Sequence, residues 1–249
     1  MSEISVCIPS RGPALGLWAT IASCEDAGLT DIHVALVRDD DEPHRVMAGY
    51  GIDIYHATDS RGPLFHNTPR ARNLAASHAT GKYILFLDDH CIIPLSLPAS
   101  IIAMDVPVWH CAYKPSVGNC MTYYHFFGIE SAVQGDYSKQ PVHDKPYRCA
   151  SAPSGIMAVR RDVWEALGGY WDSYIGFGGE EASFDLYAWS KGYEVWIDPR
   201  IVVHHFSARA DQRGYDKTIN PDNYKMALER LGPELPRLRE MFKREGIPY

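Results

Sequence analysis

The sequence predicts an α/β fold with a mainly parallel central sheet flanked by helices. Short apolar runs rich in β-formers alternate with segments whose apolar residues recur at helical spacing, and glycine or proline separates the two. Parallel strands need long crossover connections, usually helices, which cover both faces of the sheet. The alternation therefore favours a sheet buried on both sides.

The first 105 residues contain four predicted strands and two predicted helices. In order they are the strand Ile4–Ile8, the helix LGLWATIASCEDAG, the strands DIHVALVRDDDEP and GIDIYHA, the helix TPRARNLAASHATG and the strand KYILFLDDH. Ligands of such sheets bind beyond the carboxyl ends of the strands. We therefore expect the loops 10–13, 38–41 and 88–91 to converge on one crevice.

The alternation of predicted strands and helices ends after about residue 105. Residues 106–150 are rich in aromatic residues, histidine, proline and glycine, and they predict irregular strands and loops. Farther on, SGIMAVRRDVWEALGGY predicts a strand turning into a short helix, GFGGEEASFDLYAWSKG a glycine-rich loop entering a helix, and YEVWIDPRIVVHHF one or two strands. The last segment, from Asn220, predicts two short helices packed on the outside.

Composition excludes several classes of function. The chain has 249 residues, 46% hydrophobic and 22% charged, which suits a globular protein with a sizeable core. The formal net charge of -7 offers no general basic surface for nucleic acid or anionic membrane. Six cysteines without CxxC spacing, and an N-terminus without the features of a signal peptide, predict a reduced, cytoplasmic protein of bacterial or viral origin. No apolar run approaches the roughly 20 residues of a membrane helix.

The fourth predicted strand ends in an acidic cluster, LDDH. Clustered carboxylates repel one another, and a divalent cation is the usual compensation. In an extended chain Asp88 and His90 lie on the same side and Asp89 on the other. Mixed oxygen and nitrogen ligands suit Mn²⁺ better than Mg²⁺. The alternative is a solvated turn with no ligand.

Four motifs in order resemble GT-A-fold glycosyltransferases. FLDDHC resembles the D-x-H form of the D-x-D motif of polypeptide N-acetylgalactosaminyltransferases, and residues 155–206 resemble their second signature block, with R-D-x-W, G-G-E and a terminal histidine. ISVCIPSRGP and NTPRARNLAASHATGKYILFLDD resemble the nucleotide-binding half of glycosyltransferase family 2. The resemblance covers roughly residues 4–207 and is weakest between 92 and 150. It implies a Rossmann-like GT-A fold.

The resemblance also implies a metal site. Asp88 and His90 would bind Mn²⁺ (or Mg²⁺), with His204 as the third ligand and His205 as its competitor. His204 is preferred because it precedes Phe206 by two positions, as the family's histidine precedes an aromatic residue. The metal would bridge the phosphates of a nucleotide sugar and act as a Lewis acid.

The expected donor is a nucleoside-diphosphate sugar, with UDP as the favoured nucleotide. Arg72 and Asn73 would contact phosphate or ribose, with a surface salt bridge as the alternative for Arg72, and Asp39 or Asp40 would bind the base unless they form a solvated acidic loop. The residues expected to bind the nucleotide sugar are Pro9, Ser10, Arg11, Asp39, Asp40, Arg72, Asn73, Asp88, Asp89, Gly178 and Gly179.

The expected acceptor loop is Gly178-Gly179-Glu180-Glu181, whose two glutamates are the candidate catalytic residues. In inverting relatives the second acid of this loop is the general base, which maps to Glu181, whereas the retaining N-acetylgalactosaminyltransferases have asparagine there. The D-x-H motif favours retention slightly. Nearby aromatic residues could stack on sugar or belong to the core; they are Trp171, Tyr174, Phe177 and Trp189.

By the same resemblance, residues 1–105 form the nucleotide-sugar half, residues 106–215 the acceptor half of the same domain and residues 216–249 a helical tail. The leading hypothesis is a metal-dependent glycosyltransferase acting on a hydroxyl of a glycan, a protein or a modified viral DNA base, although the net charge disfavours DNA. Sugar-phosphate nucleotidyl transfer and a non-catalytic sugar-binding module are the alternatives.

Overall fold

A computed structural model of the chain describes residues 2–10, 14–36, 53–56, 68–115, 144–152, 155–174, 176, 178–206 and 221–247. The strands within these ranges are β1 Ile4–Ser10, β2 Ile32–Leu36, β3 Asp53–His56, β4 Tyr83–Leu87, β5 Cys91–Ile92, β6 Val108–Pro115, β7 Tyr147–Arg148, β8 Ile156–Arg160 and β9 Val195–His205. The helices are α1 Ala14–Asp26, α2 Thr68–Ala76, α3 Leu97–Met104, α4 Arg161–Leu167, α5 Glu180–Ser190, α6 Pro221–Leu231 and α7 Leu235–Glu245.

These strands form one sheet in the order β3-β2-β1-β4-β8-β6-β9-β5, with β7 also paired to β9. Strands β1 to β4 of the first half pair in parallel, as the sequence predicts, whereas the short β5 in the same half pairs antiparallel with β9. In the second half β8 runs antiparallel to both β4 and β6, while β6 and β9 are parallel. The α/β fold class is therefore confirmed. Strands from both predicted halves share the sheet, and the boundaries at 105 and 215 stay predictions.

Helices cover both faces of the sheet, and each face has its own apolar core. One core contains Leu17 and Ile21 of α1 and Leu97 and Ile101 of α3. The opposite core is formed by α2, α4, α5, α6 and α7, with side chains such as Ala71, Val163, Leu186, Ala227 and Phe242. The strands between them are apolar on both faces, so β1, β2 and β4 are buried along their whole length.

Most predicted elements are present, and the differences have local causes. Helix α2 ends at Ala76 rather than near Gly81, and the Ser77 hydroxyl donates to the Leu74 carbonyl there. Helix α3 was not predicted, since it has only eight residues with proline in its first turn and no clear periodic stripe. The segment 195–205 is one strand.

Among the described residues, no helix combines the length and the apolar character required to cross a bilayer.

Candidate metal centre and active site

The acidic end of β4 meets the end of β9. Asp88, His90 and His205 each place one candidate ligand atom so that all three atoms lie within 4.8 Å of one another. The Nε2 of His205 is 3.2 Å from Asp88 Oδ2, and the rings of His90 and His205 meet edge to face with centroids 4.4 Å apart. One carboxylate and two imidazoles form a donor set that suits Mn²⁺ or a similar transition ion.

His205, and not His204, lies in this cluster, so the preference for His204 is corrected. Neighbouring residues of a strand point to opposite sides. His205 points towards Asp88, whereas the exposed His204 lies beside Phe206, with ring centroids 6.4 Å apart. The phase of this alternation depends on an irregularity: between Cys111 and Ala112 of β6, the partner residues on β9 jump from Asp198 to Val202.

Asp89 lies with His90 in a turn after β4, where the alternation expected of an extended strand does not apply, and it orients the His90 ring. Its Oδ1 is 2.8 Å from Nδ1 of His90, and its Oδ2 accepts a hydrogen bond of 2.7 Å from the Ser10 hydroxyl. With Nδ1 bonded to a carboxylate, Nε2 of His90 is the nitrogen suited to a cation, the arrangement that commonly fixes metal-binding histidines. The last residue of β1 thus contacts the turn that follows β4, whereas residues 11–13 of the first expected loop lie outside the described residues.

Arg72 is buried and forms ion pairs with Asp88 of the cluster and with Glu181 of α5. Its guanidinium, 2% exposed, donates from Nη2 to Asp88 Oδ1 at 3.1 Å and forms an ion pair from Nη1 to Glu181 Oε1 at 2.8 Å. The charges of these two carboxylates raise the pKa of Arg72 against the opposing effect of burial. Within the described residues Arg72 therefore pairs with two carboxylates of the site, and its contact with phosphate or ribose stays a prediction.

Gly155, just before β8, is a site residue that the motifs did not single out. Its φ is +73°, its carbonyl accepts from the Asp88 amide at 3.0 Å, and its own amide donates to both oxygens of Glu181 at 3.1 Å. A Cβ at this position would lie 2.3 Å from Asp88 Oδ2, so the carboxylate rests directly on the glycine backbone. The signal available in the sequence was a glycine immediately before a strand.

The loop 178–181 leads into α5 through two glycines in left-handed or related conformations, with φ of +111° at Gly178 and +84° at Gly179. Such angles strain other residues. Helix α6 supports this loop from outside, because the Asn223 amide donates to the Gly178 carbonyl at 3.1 Å and the Tyr224 ring lies against Gly179. Both glutamates therefore enter the first turn of α5, where the helix dipole favours negative charge.

The carboxylates of the site differ in electrostatic character. Burial opposes ionisation of Asp88, but the hydrogen bond from His205 and the charges of Arg72 and His90 outweigh it and hold the pKa of Asp88 well below its ordinary value. Burial dominates at Glu180, which is 4% exposed, and raises its pKa from 4.5 to about 7 although Arg72 opposes the shift. Glu180 Oε2 accepts from the Gly178 amide at 2.8 Å.

Glu180→Gln is expected to stabilise the protein increasingly as pH rises. A carboxyl whose pKa is raised in the folded state keeps its proton there while the unfolded chain loses it, so between pH 4.5 and 7 wild-type stability falls relative to the variant. The advantage of the variant should grow to roughly 2–3 kcal/mol by pH 8. Urea unfolding at pH 5 and pH 8 measures it.

The matched control is Glu165→Gln, at a glutamate of α4 whose side chain is 65% exposed. It should change the free energy of unfolding equally at both pH values. An offset for Glu180→Gln that is the same at pH 5 and pH 8 would contradict the assignment of a buried, proton-holding carboxyl.

Other predicted residues have structural roles or fall outside the described residues. Asn73 donates to the Tyr170 carbonyl at 2.8 Å and accepts from its amide at 2.9 Å, so it anchors a loop, and its contact with the nucleotide stays a prediction. Pro9 is buried within β1. Arg11, Asp39, Asp40 and Phe177 lie outside the described residues, as does loop 38–41.

The aromatic residues near the loop pack within the protein. Trp171 stacks on Tyr174 with centroids 5.7 Å apart, and the Arg230 guanidinium of α6 lies 4.6 Å from the centre of the Trp171 ring. Trp189 is buried and donates from its indole nitrogen to the Cys149 carbonyl at 3.0 Å. Of the two alternatives left by the sequence, the core role fits these three aromatic residues.

Comparison with known families agrees with this architecture. The model of the family described as "Glycosyl transferase family 2" matches residues 5–103. N-acetylgalactosaminyltransferase 7 of Drosophila melanogaster is 28% identical over 189 residues, covering 66% of this chain and 30% of the relative. An inactive polypeptide N-acetylgalactosaminyltransferase-like protein 5 of Macaca fascicularis is 27% identical over 58% of this chain and 36% of its own. The alignments thus span about a third of these relatives, and one of the relatives is described as inactive.

Solved structures share the fold. A crystal structure of GalNAc-T7 with UDP, GalNAc and Mn²⁺ matches with a TM-score of 0.67 at 16% identity, over 91% of this chain and 48% of that one. The S. aureus TarS 1-349 structure in complex with UDP matches with a TM-score of 0.59 at 14% identity, over 92% and 63%. The fold is GT-A, and the chain resembles polypeptide N-acetylgalactosaminyltransferases in sequence.

Proposed function

We propose that this GT-A protein is a metal-dependent glycosyltransferase that moves a sugar from a UDP-sugar to a hydroxyl acceptor. The observation that carries the proposal is the cluster of Asp88, His90 and His205 where β4 and β9 end. Similarity alone would not suffice, because an inactive relative matches nearly as well as a transferase. The support comes from a donor set whose chemistry suits Mn²⁺, the ion present with UDP in the GalNAc-T7 structure.

Asp88, His90 and His205 would hold the ion, which would supply Lewis-acid stabilisation of the leaving diphosphate. The chain's own residues prepare these ligands. Asp89 and Ser10 fix the His90 ring, and Arg72 holds the Asp88 carboxylate in its ionised form. Each of these contacts restricts a ligand before the donor arrives, so little reorganisation is needed during the reaction.

The contacts of Glu181 support retention of anomeric configuration. A general base needs an oxygen that can reach the acceptor proton. Both oxygens of Glu181 accept from the Gly155 amide, and Oε1 also pairs with Arg72. Glu180 faces the Gly178 amide. We therefore propose that Glu180 and Glu181 position other groups of the site, and that Glu181 does not deprotonate the acceptor.

The acceptor follows from the relatives only as a class. Several relatives are described as polypeptide N-acetylgalactosaminyltransferases, which makes a protein hydroxyl the first candidate and a glycan hydroxyl the second. The formal charge of -7 places modified DNA after both.

The purified chain is expected to hydrolyse a UDP-sugar slowly, and to transfer the sugar faster when an acceptor is present, only with Mn²⁺. A panel of UDP-sugars is incubated with Mn²⁺ or with chelator, and released UDP is measured against released pyrophosphate. Serine- and threonine-containing peptides, glycans and hydroxymethylated DNA then serve as acceptors. Anomeric proton couplings of the product report configuration, and we expect retention.

Three results would change the proposal. Equal turnover with chelator would remove the metal. Pyrophosphate in place of UDP would indicate nucleotidyl transfer. Absence of both turnover and UDP binding by calorimetry would leave a sugar-binding or inactive relative.

A further inference from the structure

A fully buried set of hydrogen-bonded side chains, separate from Asp88, His90 and His205, lies between β6 and α5. His110 of β6 has Nε2 3.0 Å from Asp185 Oδ1 and Nδ1 3.2 Å from the Ile156 carbonyl. Asp185 Oδ2 accepts from the Ser151 hydroxyl at 2.8 Å and from the Ala152 amide at 3.1 Å. His110, Ser151 and Asp185 have no exposed surface.

The hydrogen-bond partners of His110 favour its protonated form. A backbone carbonyl lies at one ring nitrogen and a carboxylate oxygen at the other, and both can accept, so the geometry allows the imidazole to donate from both nitrogens and to carry a positive charge. Burial opposes this charge, but Asp185 outweighs burial, and the charge of Glu181 adds to its effect, so the pKa of His110 is raised above its ordinary value. Asp185 and Glu181, both on α5, are thus the charged groups acting on this imidazole.

Asp185 belongs to a regular series along α5. Glu181, Asp185 and Trp189 are spaced four residues apart and therefore share one face of the helix. They bind, in reverse order along the chain, the Gly155 amide, the 151–152 pair and the Cys149 carbonyl. Helix α5 therefore makes hydrogen bonds at three successive points, to Cys149, to residues 151–152 and to Gly155.

One of the residues held by α5, Gly155, contacts Asp88 directly. The Asp88 amide donates to the Gly155 carbonyl, and the Asp88 carboxylate lies against Gly155 with no room for a Cβ. A shift of Gly155 would therefore move Asp88 relative to His90 and His205.

We propose that His110 and Asp185 form a buried imidazolium–carboxylate pair that positions Asp88 by holding residues 151–152 and 155–156, since Asp185 binds the first two and His110 binds the Ile156 carbonyl next to Gly155. They are positioning residues and touch no substrate. The consequence for metal binding rests on the proposed function, whereas the positioning itself belongs to the protein without metal.

The test begins with the wild-type, metal-free protein at pH 7.5. Nitrogen-15 chemical shifts of the His110 ring should show both nitrogens protonated. In Asp185→Asn, which keeps the shape and can still accept from Ser151 and Ala152, one ring nitrogen should lose its proton. Amide hydrogen exchange at Asp88 and Gly155 should accelerate about tenfold, selectively. Titration with Mn²⁺ alone, followed by electron paramagnetic resonance, should show about tenfold weaker binding, at the lower end of the effects known for residues that support metal ligands.

Ser100→Ala is the matched control. The Ser100 hydroxyl also donates to a buried carboxylate, that of Asp198 at 2.6 Å, in a hydrogen bond that involves none of residues 149–152 and 155–156. It should leave exchange at Asp88 and Gly155, and Mn²⁺ affinity, unchanged. Should Asp185→Asn fail to fold, Ser151→Ala removes one hydrogen bond of the same group and should give a smaller change at the same two amides.

A neutral His110 in the wild type, or exchange at Asp88 and Gly155 that is unchanged or accelerated equally across the protein, would overturn the proposal. Selective acceleration in a protein that binds no Mn²⁺ would sustain the positioning role and refute the proposed metal-dependent function instead.

Discussion

Replacing His205 by alanine is expected to lower Mn²⁺-dependent sugar transfer by about 10³-fold, which corresponds to roughly 4 kcal/mol of transition-state stabilisation. His205 offers one of the three candidate ligand atoms of the cluster among the described residues, and its Nε2 lies 3.2 Å from Asp88 Oδ2. Initial rates with the best UDP-sugar, together with a Mn²⁺ titration, measure the loss.

The adjacent histidine provides an unusually close control. His204→Ala removes the same side chain one position earlier, from the opposite side of β9, where it is exposed beside Phe206. We expect its rate and Mn²⁺ affinity to stay within about twofold of wild type, as for other exposed substitutions. A larger loss from His204→Ala than from His205→Ala would show that β9 presents the other histidine to the metal.

Gly155→Ala is expected to weaken Mn²⁺ binding by about 100-fold, the upper range for residues that support metal ligands. The added Cβ would lie 2.3 Å from Asp88 Oδ2, so the carboxylate must move away from the two histidines. The positive φ of 73° adds backbone strain of about 1–2 kcal/mol. Calorimetric titration with Mn²⁺ and urea unfolding separate the two effects.

Gly168→Ala isolates the strain. Gly168, at the end of α4, has a φ of +76°, but a Cβ there meets nothing within 4 Å. Both variants should therefore lose stability, and only Gly155→Ala should lose metal affinity. Equal Mn²⁺ affinity in the two variants would mean that Asp88 does not depend on contact with Gly155.

Local patterns predicted the elements around the site but not all of its contacts. Residues 81–91 have a strand's apolar run and an acidic end, and β4 is present at Tyr83–Leu87, but Asp89 and His90 lie in the turn after it, so the fold groups Asp88 with His90 without the alternation of a strand. The choice between His204 and His205 depended on the pairing of β9 with β6. That pairing skips from Asp198 to Val202, around Pro199, and resets which residues face inward.

The ion pairs of Arg72 could not be predicted from the sequence, for a similar reason. Its position on α2 was predicted, but its partners Asp88 and Glu181 are 16 and 109 residues away along the chain, and only the folded sheet brings them together. An arginine beside an asparagine in this family resemblance suggested nucleotide contact. The fold adds a buried ion pair with two carboxylates, the arrangement that makes a buried charge tolerable.

The support of the 178–181 loop by α6 also sets an order of events during synthesis. Asn223 and Tyr224, which hold Gly178 and Gly179, are translated 45 residues after them, several seconds later at roughly 5–20 residues per second. Until α6 emerges from the ribosome and docks, the nascent chain has its metal ligands but lacks the contacts that brace the two glutamates. Maturation of the site is therefore coupled to completion of a helix that contributes no ligand to the cluster.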